Sequence, residues 1–424
     1  MNAFKKVIGY ETIKNELMQI CDMMHNKERY EALGAKLPSG VLMDGSPGVG
    51  KTLIANCFIE ESGVKCYTVR KNKSNGNFVE EITKAFDEAK ANAPSIVFLD
   101  DMDKFANEDD RHRDAEEYVA VQAGIDSIKN DDVFVIATTN ALDKLPQSLI
   151  RSGRFDRTIT LSMPSKTDAT KIIEYYLSNK KISDDVNFDD LCKMMSYHSC
   201  AELETIINEA AIRAGYAMKE CIEMQDLINA VLRLQYNSPD DCLEKEKDEL
   251  KRVAIHEAGH LVINEVISPG SVGLASIRTT GRGNLAGFIH KCDEPKRRPH
   301  IIMGLLGGKV ATELYYADHI AAGCHSDLHK AIRVIRIGIA ESGTNGIEFL
   351  EYSTRDFSLP DSTYERREIV VHAELERYIL QTKNALLQNR EFLEKVADAL
   401  LEKETLLYSD IQAIRKSVNV QEVA

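Results

Sequence analysis

The stretch that decides the fold of the first part of the chain is Gly40-Val41-Leu42-Met43-Asp44, followed directly by Gly45-Ser46-Pro47-Gly48-Val49-Gly50-Lys51-Thr52. The first five residues predict a short buried strand, and the next eight match the phosphate-binding pattern G-x-x-x-x-G-K-[ST] at every fixed position. The glycines let backbone N–H groups turn towards phosphate oxygens, and the helix predicted from Thr52 to Glu61 directs its positive end to the same place. Lys51 is predicted to reach the β- and γ-phosphates of ATP, and the Thr52 hydroxyl to hold Mg²⁺.

Polar side chains follow the next two buried strands that the sequence predicts. Ser95 to Leu99 leads into Asp100-Asp101, and Val133 to Ala137 is followed by Asn140. Asp100 is predicted to bind Mg²⁺ through water, Asp101 to polarise the attacking water, and the Asn140 amide to orient that water. Alternating strands and helices predict a parallel sheet with helices on both faces, whose ligands bind at the carboxyl ends of the strands.

The pattern changes to helices alone after residue 163, and a second region begins near residue 240. The sequence therefore predicts an α/β nucleotide-binding core over residues 1–163, a helical lid over 164–240 with a junction at Tyr236 to Asp240, and a second, mainly α-helical domain over 241–424.

The second domain opens with His256-Glu257-Ala258-Gly259-His260, a H-E-x-x-H pattern inside the apolar-periodic segment Leu250 to Val266. On a helix the two histidines face the same way and can bind one Zn²⁺. Glu257 lies beside the first histidine and can take a proton from the water that zinc activates. A catalytic zinc needs a third protein ligand, and spacing alone cannot choose one. The candidates that it leaves open are Glu265, Glu313, His325, Asp327 and His329.

Composition limits where the protein works and what it binds. Of 424 residues, 43% are hydrophobic, and the formal net charge is −14, so a soluble protein that does not bind nucleic acid is expected. Nine cysteines without a C-x-x-C pair favour a reducing compartment. The N-terminus lacks the apolar segment of a signal peptide and no long apolar window occurs, so the sequence predicts a cytoplasmic protein without a membrane span.

Several motifs together carry a resemblance to a known family. The run Leu149 to Arg157 resembles the second region of homology of the AAA+ ATPases. From about Phe4 to its end the chain is similar to the FtsH family of ATP-dependent zinc metalloproteases. Beyond the P-loop and the H-E-x-x-H pattern, the matching stretches are Leu305-Leu306-Gly307-Gly308, Gly323 to Asp327, Asn389 to Leu393 and Glu402 to Leu406.

The resemblance implies the class, the cofactors and the remaining site residues. It implies an AAA+ P-loop domain with a helical lid, followed by a zinc metallopeptidase domain that acts on polypeptide substrates. Arg151 and Arg154 are implied to reach the nucleotide of a neighbouring subunit, which requires a homo-oligomeric ring, most simply a hexamer. Asp327 is implied as the third zinc ligand.

Four departures from the family pattern bear on function. The membrane spans that precede the ATPase in that family are expected to be absent, so a restriction to membrane substrates need not hold. Asp101 replaces the usual glutamate, which predicts slow ATP hydrolysis. The loop Lys71 to Asn77 lacks the aromatic residue that grips substrate in the pore, which predicts weak unfolding. The lid has Cys200 and Glu202 where the family tends to have glycine and aspartate.

These departures keep two alternatives open beside an ATP-dependent endopeptidase. One is a non-proteolytic AAA+ remodelling or scaffold protein, and the other an ATP-gated peptidase limited to unfolded chains. A further hypothesis concerns Val272 to Thr279 and Leu285 to Lys291, two predicted strands around Gly281-Arg282-Gly283. An edge strand beside a zinc helix can align a peptide by main-chain pairing. The tail, Ser362 to Ser417, is predicted to be largely helical.

Overall fold

A computed structural model of the chain describes residues 3–71, 77–106, 115–151, 153–239, 247–279, 286–293, 295–316, 324–342 and 361–423. Some of the features predicted above lie outside the described residues. These are residues 72–76 of the predicted pore loop, Ser152, Asp240, the Gly281–Gly283 turn, Leu285 and Gly323.

The described residues form two compact units. The first comprises Met1–Asn179 with Tyr197–Thr205, and the second comprises Lys180–Ser196 with Ile206–Ala424.

The first unit is built on a five-stranded parallel sheet with the strand order β2-β3-β4-β1-β5. Its strands are β1 (Gly40–Gly45), β2 (Lys65–Val69), β3 (Ser95–Leu99), β4 (Val133–Thr139) and β5 (Arg157–Leu161). All residues of β3 and β4 are buried, because helices cover both faces of a parallel sheet. The carboxyl ends of β1, β3 and β4 lie at the same end of the parallel sheet. The P-loop, Asp100 and Asn140, which follow these strands, therefore lie close together.

Six helices belong to the first unit: α1 (Glu11–His25), α2 (Lys27–Glu31), α3 (Lys51–Ser62), α4 (Phe78–Ala91), α5 (Ala115–Ser127) and α6 (Lys166–Ser178). Alternate residues along a strand point to opposite faces, so Val41 and Met43 belong to one core and Leu42 to the other. Phe78, Ile82 and Phe86 recur at helical spacing on α4 and fill the second core.

The second unit is mainly helical, with one small sheet. Its helices are α7 (Phe188–Met194), α8 (Cys200–Tyr216, whose first six residues belong to the first unit), α9 (Met224–Tyr236), α10 (Lys247–Ile267), α11 (Arg298–Tyr315), α12 (Cys324–Ser342), α13 (Asp361–Gln388), α14 (Arg390–Lys403) and α15 (Tyr408–Lys416). The sheet has the order β7-β6-β8, with β6 (Val272–Thr279), β7 (Ala286–Lys291) and β8 (Thr405–Leu407). The predicted fold class is confirmed.

The segment that starts at Glu11 forms two helices, because Asn26 leaves the helical conformation between α1 and α2. The tail is largely helical, as predicted, with one interruption: Glu404 adopts a positive φ of 58°, which ends α14, and Thr405–Leu407 then pairs antiparallel with β6. None of the helices in the described part of the chain combines the length and the apolar character that a membrane span requires.

Candidate nucleotide and zinc sites

The P-loop has the backbone that its glycines predict. Gly48 and Gly50 have φ values of 81° and 99°, in the left-handed region that favours glycine, and Gly50 directly precedes α3. The start of α8 packs on this turn, because the Ala201 N–H donates to the Gly48 carbonyl at 3.1 Å. A Cβ atom at position 48 would lie 2.8 Å from the Ser199 hydroxyl, so steric exclusion also favours glycine at this position.

The Lys51 ammonium lies inside the turn that it is predicted to serve. Its Nζ donates to the carbonyls of Gly45 and Ser46 at 2.6 and 2.9 Å, and to Asn140 Oδ1 at 2.8 Å. Burial lowers the pKa of Lys51, although nearby carboxylates act in the opposite direction. An ammonium held by neutral oxygens in a glycine-rich turn can exchange them for phosphate oxygens.

The predicted magnesium residues come together. Asp100 is 2% exposed, and its Oδ1 accepts from the Thr52 hydroxyl at 3.1 Å and from the Thr138 hydroxyl at 2.8 Å. A buried carboxylate beside the P-loop threonine is the arrangement that holds Mg²⁺ in P-loop ATPases.

Asp101 has an unusual backbone and a restrained side chain. It adopts a left-handed conformation with φ 55°, and its carboxylate accepts from Lys104 Nζ at 2.6 Å and from the Asn140 amide at 3.3 Å. Burial acts to raise the pKa of Asp101, but the Lys104 and Arg70 charges and the two hydrogen bonds hold it below its usual value. Asp101 is therefore a charged group already bound to the two neighbours that orient it.

Two functional residues of this site were missed by the sequence analysis. Asp103 accepts from the Asn140 N–H at 2.9 Å and from the Thr139 hydroxyl at 3.1 Å, so it holds the end of β4. Arg70 Nε lies 3.5 Å from Asp100 Oδ2. Asp103 had a visible signal in the sequence, because it is the third carboxylate after β3. Arg70 had no such signal, because only the strand order of the sheet brings the end of β2 beside β3.

The two arginines of the Leu149–Arg157 run differ in accessibility. Arg154 is 2% exposed, and its guanidinium pairs with Asp126 at 3.1 and 2.7 Å and donates to the Ser148 carbonyl. Arg151 is exposed. In this conformation Arg154 stabilises its own domain, and Arg151 is the one that solvent and a neighbouring molecule can reach.

The side chains of His256, His260 and Asp327 converge in the structure. His256 Nε2 and His260 Nε2 lie 3.1 Å apart, and Asp327 Oδ2 lies 3.6 and 3.2 Å from them. Three donors that surround one ion tetrahedrally at 2.0–2.1 Å are about 3.3 Å apart. The three atoms therefore fit a single zinc ion, and the described residues contain no other cluster of three such ligands.

Hydrogen bonds orient the donors. His260 Nδ1 donates to the Gly304 carbonyl at 2.8 Å, which leaves the lone pair on Nε2 to face the other two donors. Burial lowers the pKa of the His256 imidazole, while both histidines hold the pKa of Asp327 well below its usual value, against the effect of burial. The donor set is thus two imidazoles and one carboxylate, which suits a dication.

Glu257 lies beside this triad, and its side chain is buried, with 4% exposure. Burial, together with the Asp327 charge, raises the pKa of Glu257 to about 8, and His260 acts in the opposite direction. A bound dication would lower the pKa again, because it favours the carboxylate form.

The structure separates the other candidates for the third ligand from the site. Glu265 accepts from the backbone N–H groups of Gly270 and Val272, both at 2.9 Å, and so holds the turn before β6. Glu313 pairs with Lys309. His325 and His329 are exposed on α12, on either side of Asp327 in the sequence, and neither joins the ligand cluster.

Glycines allow α10 and α11 to cross closely enough to form the site. A Cβ at Gly259 would lie 2.4 Å from the Gly307 carbonyl oxygen, and a Cβ at Gly307 would lie 2.5 Å from that of Gly259. A Cβ at Gly308 would lie 2.4 Å from His260 Nε2 and 2.6 Å from His256 Nε2. The pair Gly307-Gly308 therefore leaves room for both the helix crossing and the metal.

Gly308→Ala is expected to weaken zinc binding strongly without unfolding the first unit, because the added methyl group would occupy the space between the two histidines. The zinc content of purified protein, measured by atomic absorption, should fall at least about 10-fold, the scale on which disturbed ligand orientation weakens metal sites. Gly215→Ala, on α8 with no atom within 4 Å of its Cβ position, is the matched control and should retain zinc. Full zinc occupancy in Gly308→Ala would contradict this account of the site.

The fold and the two sites define a P-loop ATPase domain joined to a zinc-peptidase domain. Residues 41–163 match the model of the ATPase family associated with various cellular activities (AAA), and residues 242–414 match that of peptidase family M41. The chain is 30% identical over 442 residues to the ATP-dependent zinc metalloprotease FtsH of Leptotrichia buccalis, covering 97% of this chain and 56% of the relative.

Two further relatives agree with this match. FtsH of Bacillus subtilis is 29% identical, covering 95% of this chain and 68% of the relative, and FtsH of Mycoplasma mobile is 28% identical, covering 98% and 63%. The chain spans between about half and two thirds of the length of these curated relatives. It belongs to the FtsH-type family, in which an AAA domain precedes an M41 peptidase domain.

Proposed function

We propose that the protein is an ATP-dependent zinc endopeptidase that degrades polypeptides, in which an ATPase ring feeds a peptidase chamber. The observation that carries the proposal is the convergence of His256, His260 and Asp327 beside Glu257. A scaffold protein has no need of a buried carboxylate next to a three-donor metal site.

The proposed domain division places the AAA core in residues 1–163, the lid in 164–240 and the peptidase in 241–424. The composition favours a cytoplasmic setting.

The chemistry follows from the positions of the side chains. His256, His260 and Asp327 would hold zinc, which would supply a Lewis acid for the scissile carbonyl and for the attacking water. Glu257 then accepts the proton of the attacking water and delivers it to the leaving amine. Its burial keeps bulk water from competing for that proton.

ATP would be bound by Gly45 to Thr52, with Asp100 and Thr52 holding Mg²⁺. Asp101 and Asn140 are proposed to orient the attacking water, because their carboxylate and amide are joined by a hydrogen bond beside Lys51. The Lys104 ammonium, 2.6 Å from Asp101, competes with the attacking water for the same carboxylate. This competition supports slow ATP hydrolysis, and with it the narrower alternative of a peptidase limited to unfolded chains.

A paired degradation assay tests the proposal. An unfolded and a tightly folded substrate are incubated with wild-type protein, with and without ATP and Mg²⁺, in the presence of zinc. The proposal expects ATP-dependent cleavage of both substrates, and the narrower alternative expects cleavage of the unfolded one alone. No cleavage of either substrate by wild-type protein would overturn the endopeptidase proposal and favour the scaffold.

The exposed arginine is proposed to serve a neighbouring subunit of a homo-oligomeric ring, most simply a hexamer. Arg151→Ala is expected to lower ATP turnover about 1,000-fold with unchanged thermal stability, because an arginine supplied in trans acts only on the transition state. Arg154→Ala should instead lower the melting temperature, because it removes a buried guanidinium that pairs with Asp126 and donates to the Ser148 carbonyl.

Steady-state ATPase assays, native mass spectrometry and thermal unfolding separate these effects. Arg29→Ala, an exposed arginine on α2, is the matched control and should change neither quantity. Normal ATP turnover by an assembled Arg151→Ala ring would contradict the assignment.

A further inference from the structure

The histidine at position 290 of β7 is buried and bonded through both ring nitrogens. It is 8% exposed, its Nε2 lies 3.0 Å from the Ser196 hydroxyl, and its Nδ1 lies 3.0 Å from the Tyr236 hydroxyl and 3.2 Å from Gln235 Nε2. Ser196 follows α7, while Gln235 and Tyr236 end α9. A single imidazole therefore joins one strand of the peptidase sheet to two helices of the predicted lid, all within the second unit.

The donor directions are consistent around this ring. The Gln235 amide nitrogen can only donate, so His290 Nδ1 accepts. Nε2 then carries the proton and donates to the Ser196 hydroxyl, which donates in turn to the Lys193 carbonyl at 3.0 Å. Each of these polar groups has a partner, so the hydrogen bonds fix the position of the His290 ring relative to the ends of α7 and α9.

Aromatic packing adds to the hydrogen bonds. The Tyr236 ring stacks on Phe288, two residues before His290, with centroids 3.7 Å apart and ring planes inclined by 14°. The end of α9 thus contacts β7 at both His290 and Phe288, which are alternate residues of the strand.

The residue before Phe288 lies against the proposed general base. Gly287 has a φ of 91°, and a Cβ placed on it would be 2.5 Å from Glu257 Oε1 and 2.7 Å from Glu257 Cδ. The backbone of β7 is therefore one wall of the pocket that holds the Glu257 carboxylate. A shift of β7 by a fraction of an ångström would change the position of that carboxylate.

We propose that His290 is a positioning residue, which fixes β7 to the ends of α7 and α9 and thereby holds the Gly287 backbone against Glu257. The inference rests on the proposed function, because it takes Glu257 to be the general base. It assigns to α7 and α9 an indirect role in peptide hydrolysis, since their contacts with His290 determine where β7 lies.

The test compares His290→Ala with His290→Gln, whose amide can still donate towards Ser196. Hydrolysis of a short unstructured fluorogenic peptide is measured with saturating zinc, and the amide hydrogen exchange of Phe288 to Lys291 is followed by mass spectrometry. His372→Ala, the same substitution at an exposed histidine of α13, is the matched control.

In His290→Ala we expect kcat to fall about 10-fold with a smaller change in KM, because misplacement of a catalytic group acts mainly on the transition state. Exchange of the β7 amides should become faster, while the zinc content and the ATP turnover stay unchanged. His290→Gln should recover part of kcat, and His372→Ala should match wild-type protein.

Two results would overturn the proposal. One is a folded His290→Ala protein with wild-type kcat and wild-type exchange at β7. The other is a loss of kcat that only follows a loss of folded protein and that His290→Gln does not recover. Absence of peptidase activity in wild-type protein would count against the proposed function alone, because the exchange measurement still decides whether His290 holds β7.

Discussion

Glu257→Gln is expected to lower peptide hydrolysis by about 1,000-fold while zinc binding and ATP turnover persist. Removal of a general base costs about 10²–10⁴-fold, and the other buried carboxylate of α10, Glu265, is occupied by the backbone N–H groups of the turn before β6. The amide has nearly the same shape as the carboxylate, so the wall formed by Gly287 should still accommodate it.

The effect can be assigned by measuring kcat for a short peptide together with zinc content and ATPase rate. Glu249→Gln, an exposed glutamate in the first turn of the same helix, provides the control and should keep full activity. If Glu257→Gln cleaved peptide at even a tenth of the wild-type rate, the assigned role of Glu257 would be wrong.

Lys51→Ala is expected to reduce ATP turnover by at least about 100-fold, the scale on which loss of one preorganised charge-stabilising donor lowers kcat. Its Nζ is held among the Gly45, Ser46 and Asn140 oxygens, and no other ammonium in the described residues shares these contacts. Degradation of a folded substrate should stop with ATP hydrolysis. Cleavage of a short peptide should continue, because the zinc ligands lie on α10 and α12 in the second unit.

Parallel assays of ATP hydrolysis, folded-substrate degradation and peptide cleavage separate these consequences. Lys36→Ala, an exposed lysine in the same unit, serves as the control. Equal degradation of the folded substrate by Lys51→Ala and wild-type protein would show that the ATPase does no mechanical work on substrates.

The two local chemical patterns could be predicted from the sequence because each is complete within a few residues. The P-loop needs one strand, one glycine-rich turn and one helix start, and these are contiguous from Gly40 to Thr52. His256 and His260 share a helix face through their spacing alone. The strand β3 was likewise predicted with its observed limits, because Ile96 to Leu99 is a continuous apolar run that ends at two carboxylates.

The remaining features depended on contacts between distant segments, which local patterns do not encode. The residues left five candidates for the third ligand open, and the resemblance singled out Asp327. In the structure α12 brings that carboxylate to the histidines, while Glu265 is used by the turn before β6. The burial of Arg154 required Asp126 from α5, and the short strand β8 formed because β6 offered an edge.

The sequence by itself thus determined a P-loop ATPase core and a helix able to hold zinc, because short-range spacing and backbone freedom specify both. Only the tertiary structure decided which side chains surround them. Gly308 has a role because α11 crosses α10 there, and Gly287 and His290 have theirs because β7 lies between Glu257 and the ends of α7 and α9. The physical reason is that steric exclusion and hydrogen bonding act over a few ångströms in space, whatever the separation along the chain.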